Sequence, residues 1–156
     1  MNLNKHLKNA LVLFSILFVV TACSTSKKGA NLLDGDVYTG SDTIEYLAAG
    51  VADRAFFATN KSDLTTASRS TLRKQADYLR KNKDLNVVLE GHADERGTRE
   101  YNLALGQRRA EAVRDYLTLN GINKKRINVK SFGEEKPLVN GSDERSWARN
   151  RRAEIS

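Results

Sequence analysis

The chain is poor in several things on which large classes of protein depend. It has one cysteine in 156 residues, so no disulfide can form within it and its core must be stable through packing alone. It has two histidines, and one of them, His6, precedes the first apolar run. With no second cysteine, a zinc site around His92 would have to be completed by carboxylates, outside the usual ligand sets. The longest apolar run, "ALVLFSILFVV" at residues 10–20, is too short for the roughly 20 residues a spanning helix needs. There is one proline, no internal repeat, no low-complexity block, and no Gly-x-Ser-x-Gly elbow to activate a serine nucleophile. The basic runs, "KKR" at residues 124–126 and the closing arginines, are short and lack interleaved aromatics, which argues against nucleic-acid binding. What remains, 40% hydrophobic and 29% charged, is material for one globular domain.

The N-terminus carries an address. Lys5 and Lys8 precede the apolar run, which ends in Val20-Thr21-Ala22-Cys23. Small residues directly before the only cysteine resemble the lipobox of bacterial lipoproteins. The resemblance implies a signal peptide over residues 1–22, removed by cleavage, and a palmitate-type lipid on Cys23, as an S-diacylglycerol and an N-acyl chain. Buried acyl chains contribute about 0.8 kcal/mol per methylene, so such an anchor is effectively permanent. Ser24 stands where an aspartate would favour inner-membrane retention, so the outer membrane, facing the periplasm, is the expected location. Cleavage leaves 24 basic against 19 acidic residues, a net +5, compatible with an anionic partner but naming none.

Residues 23–50 are expected to form the lipidated N-terminus and a flexible tether, since residues 24–42 are rich in Ser, Gly, Asp and Lys with no apolar period. As a coil, the stretch from Cys23 to Asp53 would span on the order of 30 Å, and about 100 Å if taut. Residues 51–156 then alternate between strand and helix. "RAFFA" (54–58) predicts a strand, and Thr66 a cap for a helix with Leu72, Ala76 and Leu79 on one face. "LNVVLEG" (85–91) predicts a second strand, with Val87 and Leu89 on one face. A longer helix is expected between Thr98 and Asn120-Gly121, followed by the alternating strand "RINVKSF". A loop with Pro137 and a helical turn at 142–149 lead to a last strand. The order βαβαββ predicts an α/β two-layer sandwich, with the helices on one face of a mixed sheet.

The densest chemistry lies in "LEGHADERGTREYN", residues 89–102. The apolar stripe of the following helix, Leu105, Ala112, Val113, Tyr116 and Leu117, includes Arg109, with Asn102 on the same face. An inward arginine is costly unless paired or placed in a cleft, and Asp94 is its natural partner. Two readings follow: an internal Asp94–Arg109 salt bridge, or a cleft lined by both charge signs that holds a zwitterion, Asp94 on an ammonium and Arg109 on a carboxylate. His92 and Asp94, two apart at a strand end, could begin a metal site, but further ligands are lacking and His92 reads as a satisfied residue at the cleft wall. Asp94 with Glu95 or Glu100 could serve a glycoside hydrolase, although neighbours on one loop rarely straddle a sugar bond.

"GHADERGTREYNLALGQRRAEAV" followed by "NRR" resembles the peptidoglycan-associated lipoprotein family and its OmpA-like domain, over about residues 54–156. The resemblance implies an OmpA-like fold and non-enzymatic binding of the diaminopimelate-containing stem peptide of peptidoglycan. In this family's pattern Asp94 and Arg109 hold the ammonium and carboxylate at the far end of diaminopimelate, with Asn102, Thr59 and Arg151 around them. It also implies partnership with the Tol system, particularly TolB, and no cofactor or metal. The family usually has an aspartate where this chain has Ala58. A flagellar stator component, a relative of the same domain, would lack the lipobox.

Overall fold

The computed structural model describes residues 33–40 and 46–156. Cys23, the apolar run and most of the expected tether lie outside those residues. Two short hairpins come first. The strands β1 (Leu33–Asp34) and β2 (Val37–Tyr38) form one, and β3 (Tyr46–Ala48) and β4 (Val51–Ala52) form the other. The domain proper runs β5 (Arg54–Phe56), α1 (Thr66–Lys81), β6 (Val87–His92), α2 (Arg99–Leu119), β7 (Ile127–Gly133), α3 (Glu144–Asn150) and β8 (Arg152–Ile155).

The four long-range strands form one sheet in the order β5-β8-β6-β7. β6 and β7 are parallel, and β8 enters antiparallel between β5 and β6. β5, β6 and β7 therefore point the same way, and the expected mixed sheet is found. Leu72, Ala76 and Leu79 of α1 and Ala110, Val113 and Leu117 of α2 pack with Phe57, Leu89, Ile127 and Ile155 in the main core. Where the sequence suggested Ala112 and Tyr116 as buried positions of α2, the structure buries Gly106 and Ala110 instead, because the helix turns its small residues to the sheet.

That choice is forced by a close approach. A side chain on Gly91 would fall on the carbonyl of Gly106, and one on Gly106 would meet the Gly91 carbonyl oxygen at 2.7 Å and the Ser131 hydroxyl. Ser131 also donates to the Leu103 carbonyl at 2.7 Å. Backbone thus lies against backbone where α2 crosses β6 and β7, and this fixes how deep Asn102 and Arg109 sit.

The helix ends follow local chemistry. Thr98 caps α2 by accepting from the Tyr101 amide at 3.2 Å, and Asn120 closes it. α1 is capped one residue earlier than expected, by Thr65, which accepts from the Ser68 amide at 3.1 Å. The helical turn expected near the C-terminus is α3, capped by Asp143.

The expected tether is shorter than residues 23–50. Val37 and Tyr38 are buried, and the Tyr38 ring meets Phe56 edge-on with centroids 4.8 Å apart. They form a second small core with Phe56 and Ala148, with Ala58 against it. Leu47 packs on the main core, and Gln75 donates to the Ala52 carbonyl at 2.7 Å. Scattered apolar residues without a period thus suffice to dock residues 33–40 and 46–48. Among the described residues no helix is long and apolar enough to cross a membrane.

Candidate functional site

Because β5 and β6 are parallel, the loops that follow them emerge at the same edge of the sheet, and the chain enters β8 there as well. Thr59 follows β5, Asp94 follows β6, Arg151 precedes β8, and Asn102 and Arg109 reach the same edge from α2. The carboxyl ends of parallel strands are where open α/β sheets usually bind ligands. The five residues anticipated from the sequence are therefore brought together by topology.

Asp94 is 7% exposed. Its carboxylate accepts from the Arg96 backbone N–H at 3.1 Å, from Arg96 Nε at 3.0 Å and Nη2 at 2.8 Å, and from Arg151 Nη1 at 3.3 Å. Burial raises its pKa, but the side-chain and backbone hydrogen bonds from Arg96 outweigh this and hold the carboxyl below its ordinary value. Arg96 in turn lies over the Trp147 ring, 4.2 Å from its centroid. Trp147 donates to Glu95 at 3.0 Å.

Arg109 does not form the Asp94 salt bridge that was one of the two readings the sequence left open. It is fully buried and donates to three carbonyls: Nε to Lys61 at 2.9 Å, Nη1 to His92 at 2.7 Å and Nη2 to Ala58 at 3.1 Å. The Asp94 ion pairs are with Arg96 and Arg151 instead. Arg109 therefore clamps the turn at residues 58–61, where Asn60 has a φ of 56°, to the end of β6. Burial, with repulsion from Arg151, lowers its pKa to about 9, which still leaves it charged at neutral pH. Its two terminal nitrogens each keep a second N–H.

Arg151 is equally buried, donating to the Phe57 carbonyl at 3.2 Å, to Glu144 at 2.6 Å, and to the Asp36 carbonyl. Asn102 donates to the Arg96 carbonyl at 3.1 Å and to Glu134, tying the loop to α2. The Thr59 hydroxyl accepts from Arg96 Nη2 at 3.4 Å, and its backbone N–H donates to Asp36 at 2.5 Å. Sequence reasoning missed Arg96, Asp36, Glu144 and Trp147. Only Arg96 had a signal, its position two residues after Asp94.

His92 does not share this site. Its ring stacks on Phe132, with centroids 5.6 Å apart, and lies 3.6 Å from Glu154. That separation from Glu154 is just longer than an ordinary hydrogen bond and within reach of an ion pair. Glu90, His92 and Glu154 bring three possible metal-ligand atoms within 4.8 Å of one another. Glu154, however, already accepts from Arg54 at 3.1 Å and Arg152 at 2.9 Å, so two guanidiniums balance its charge. The cluster reads as an ion-pair network.

The hydrolase alternative gains nothing from the geometry. A glycosidase acid needs a raised pKa. Hydrogen bonds from Ser142 and Trp147 lower that of exposed Glu95, and Asp94 is lowered as well.

Residues 56–151 match the OmpA family. The chain is 39% identical over 143 residues to the peptidoglycan-associated lipoprotein of Mesorhizobium japonicum, covering 88% of this chain and 84% of that one. With the protein of the same description from Brucella melitensis it shares 40% over 149 residues, 92% and 88% of the two chains. The crystal structure of the peptidoglycan-associated lipoprotein from Burkholderia pseudomallei superimposes with a TM-score of 0.64 at 42% identity, over 66% of this chain and 87% of that one. The C-terminal domain of Helicobacter pylori MotB, at 20% identity and a TM-score of 0.62, shares the fold. The chain belongs to the OmpA family and, within it, to the peptidoglycan-associated lipoproteins.

Proposed function

We propose that this protein binds peptidoglycan non-covalently and holds the cell wall to the outer membrane, to which Cys23 anchors it by covalent lipid. Its ligand is the diaminopimelate-containing stem peptide. The observation that carries the reading is Asp94, a buried carboxylate that, among the described residues, accepts only from arginines, at the sheet edge where Thr59, Asn102, Arg109 and Arg151 converge. Asp94 takes the ligand's ammonium. The ligand's carboxylate meets the Thr59 N–H and the positive end made by Arg151 and Arg109, with Asn102 holding the loop. Each site needs only modest affinity, because many copies bound to one wall act together. Partnership with TolB and other Tol-system proteins is part of the proposal and rests on family membership alone.

The test is co-sedimentation with purified peptidoglycan sacculi. Asp94→Asn forfeits a charge-assisted hydrogen bond worth about 1.5–3 kcal/mol, so binding should weaken by roughly tenfold to more than a hundredfold in protein that still folds, with the melting midpoint lowered by the loss of the buried pairing to Arg151. Lys124→Ala, on the exposed turn at the other end, should change little. Wild-type binding by a folded Asp94→Asn protein would place the site elsewhere.

A further inference from the structure

We propose that the chain carries its own competitor for this cleft: Asp36, at the turn of the β1–β2 hairpin, occupies the position of the ligand's carboxylate and must leave before the ligand can bind. The inference rests on the cleft being the ligand site.

Asp36 presents both halves of a bound carboxyl-bearing residue. Its side chain accepts from the Thr59 backbone N–H at 2.5 Å, and its carbonyl accepts from Arg151. Burial pulls its carboxyl up, but the Thr59 hydrogen bonds and the nearby Arg151 charge hold it below its ordinary value, as expected of an anion in a receptive site. The side chains that put it there are Val37 and Tyr38, buried against Phe56 and Ala148.

The cation half of the cleft is filled from within as well. Arg96 closes on Asp94 while lying over Trp147. The site is thus sealed by a pair of opposite charges, Arg96 and Asp36, and this accounts for the deep burial of Asp94 and Arg151 in a region that has to be reached by a ligand. A zwitterion replaces the two charges like for like, its ammonium for Arg96 and its carboxylate for Asp36. Arg96, at 38% side-chain exposure, can swing outward alone. Asp36 can leave only if the hairpin shifts, so apparent affinity is reduced by the fraction of molecules in which the hairpin is open.

The experiment is calorimetric titration of a muropeptide bearing meso-diaminopimelate into the purified wild type, Asp36→Ala, Asp36→Asn and Asp94→Asn, with melts of each. Asp36→Ala should bind about tenfold tighter or more, the lower end of what one charge-assisted hydrogen bond is worth. Asp36→Asn, which keeps an acceptor for the Thr59 N–H, should gain less. Equal or weaker binding by a folded Asp36→Ala protein would overturn the proposal, the latter by making Asp36 an additional ligand contact. Hydrogen exchange on the wild type gives a readout independent of any variant. The Val37 and Tyr38 amides should exchange faster when the muropeptide is bound, and unchanged protection would likewise overturn the proposal. Asp94→Asn separates the two ideas. If it binds as wild type does, the cleft reading fails and this one with it; if it is weakened, the Asp36 variants decide.

Discussion

Arg109 donates to the carbonyl oxygen of His92 across 2.7 Å, and neither side chain is exposed. This bond, with those to Ala58 and Lys61, makes Arg109 the clamp between the loop after β5 and the end of β6. Removing it takes the guanidinium donor from the His92 and Lys61 carbonyls, each worth about 1–3 kcal/mol when buried, while Ala58 keeps the Lys61 N–H at 3.1 Å. Arg109→Leu should therefore cost about 3–5 kcal/mol. Arg109→Lys should recover little of it, since an ammonium cannot reproduce the planar fork. Denaturant melts check this. A loss below about 1 kcal/mol for Arg109→Leu would mean the carbonyls find other partners. The consequence for function is that lost wall binding in an Arg109 variant, as in Asp94→Asn with its buried partner Arg151, has to be judged against its fold.

The contact between Gly91 and Gly106 makes a second prediction about stability. A methyl group on Gly106 would face backbone oxygen at 2.7 Å, which no rotamer change can relieve, so α2 must lift from β6. Overpacking of this kind costs about 1–3 kcal/mol. Gly106→Ala should lower the melting midpoint, although alanine is the better helix former at an unconstrained position. An unchanged midpoint would show that α2 can slide on the sheet.

His92 sets a pH dependence. Burial lowers its pKa below the ordinary 6.5; neighbouring Glu154 and Glu90 work in the other direction and Arg152 reinforces the lowering. The unfolded chain therefore binds a proton before the folded one does, and stability is fully present above about pH 6.5 and lost as the pH falls below it. The loss is at most about 1.4 kcal/mol per pH unit from this one group. His92→Gln should flatten the stability profile between about pH 6.5 and 5. If the variant kept the wild-type slope there, another group would be responsible.

Much of this architecture is legible from the chain alone. Thr98 and Asn120-Gly121 mark the ends of α2, and the alternation through Ile127, Val129 and Ser131 marks β7, because caps and period-two burial are local signals. The hairpins at 33–38 and 46–52 are not legible, since strands of two or three residues carry no period and Tyr38 finds Phe56 only through tertiary contact. The site was half legible. Arg109 stood out as a cation on an apolar face, but its partners are main-chain carbonyls, which every residue has and no sequence pattern announces. Asp36 comes to Thr59 across 23 positions and was invisible for the same reason.

The anchor can be tested without reference to the domain. Small residues run directly up to Cys23, the only cysteine. Cys23→Ala should abolish incorporation of labelled palmitate and release the protein from the membrane fraction. Continued labelling would rule out Cys23 as the lipid attachment point.

The chemistry of the ligand itself tests how the cleft divides its labour. A stem peptide with lysine in place of diaminopimelate keeps the terminal amine but lacks the carboxylate beside it. Asp94 would hold the amine of either peptide, while only the diaminopimelate form would engage the Thr59 N–H and the Arg151–Arg109 end. The lysine form should therefore bind more weakly by roughly tenfold to a hundredfold, the worth of one charge-assisted hydrogen bond. Asp94→Asn should weaken both peptides alike and leave their ratio nearly intact, because the substitution acts on the group they share. Parallel titrations of the two peptides into wild type and Asp94→Asn give all four affinities. Equal binding of the two peptides by the wild type would mean that no carboxylate is read at this edge. A ratio that collapsed in Asp94→Asn would mean that the aspartate and the arginines act on the same group of the ligand.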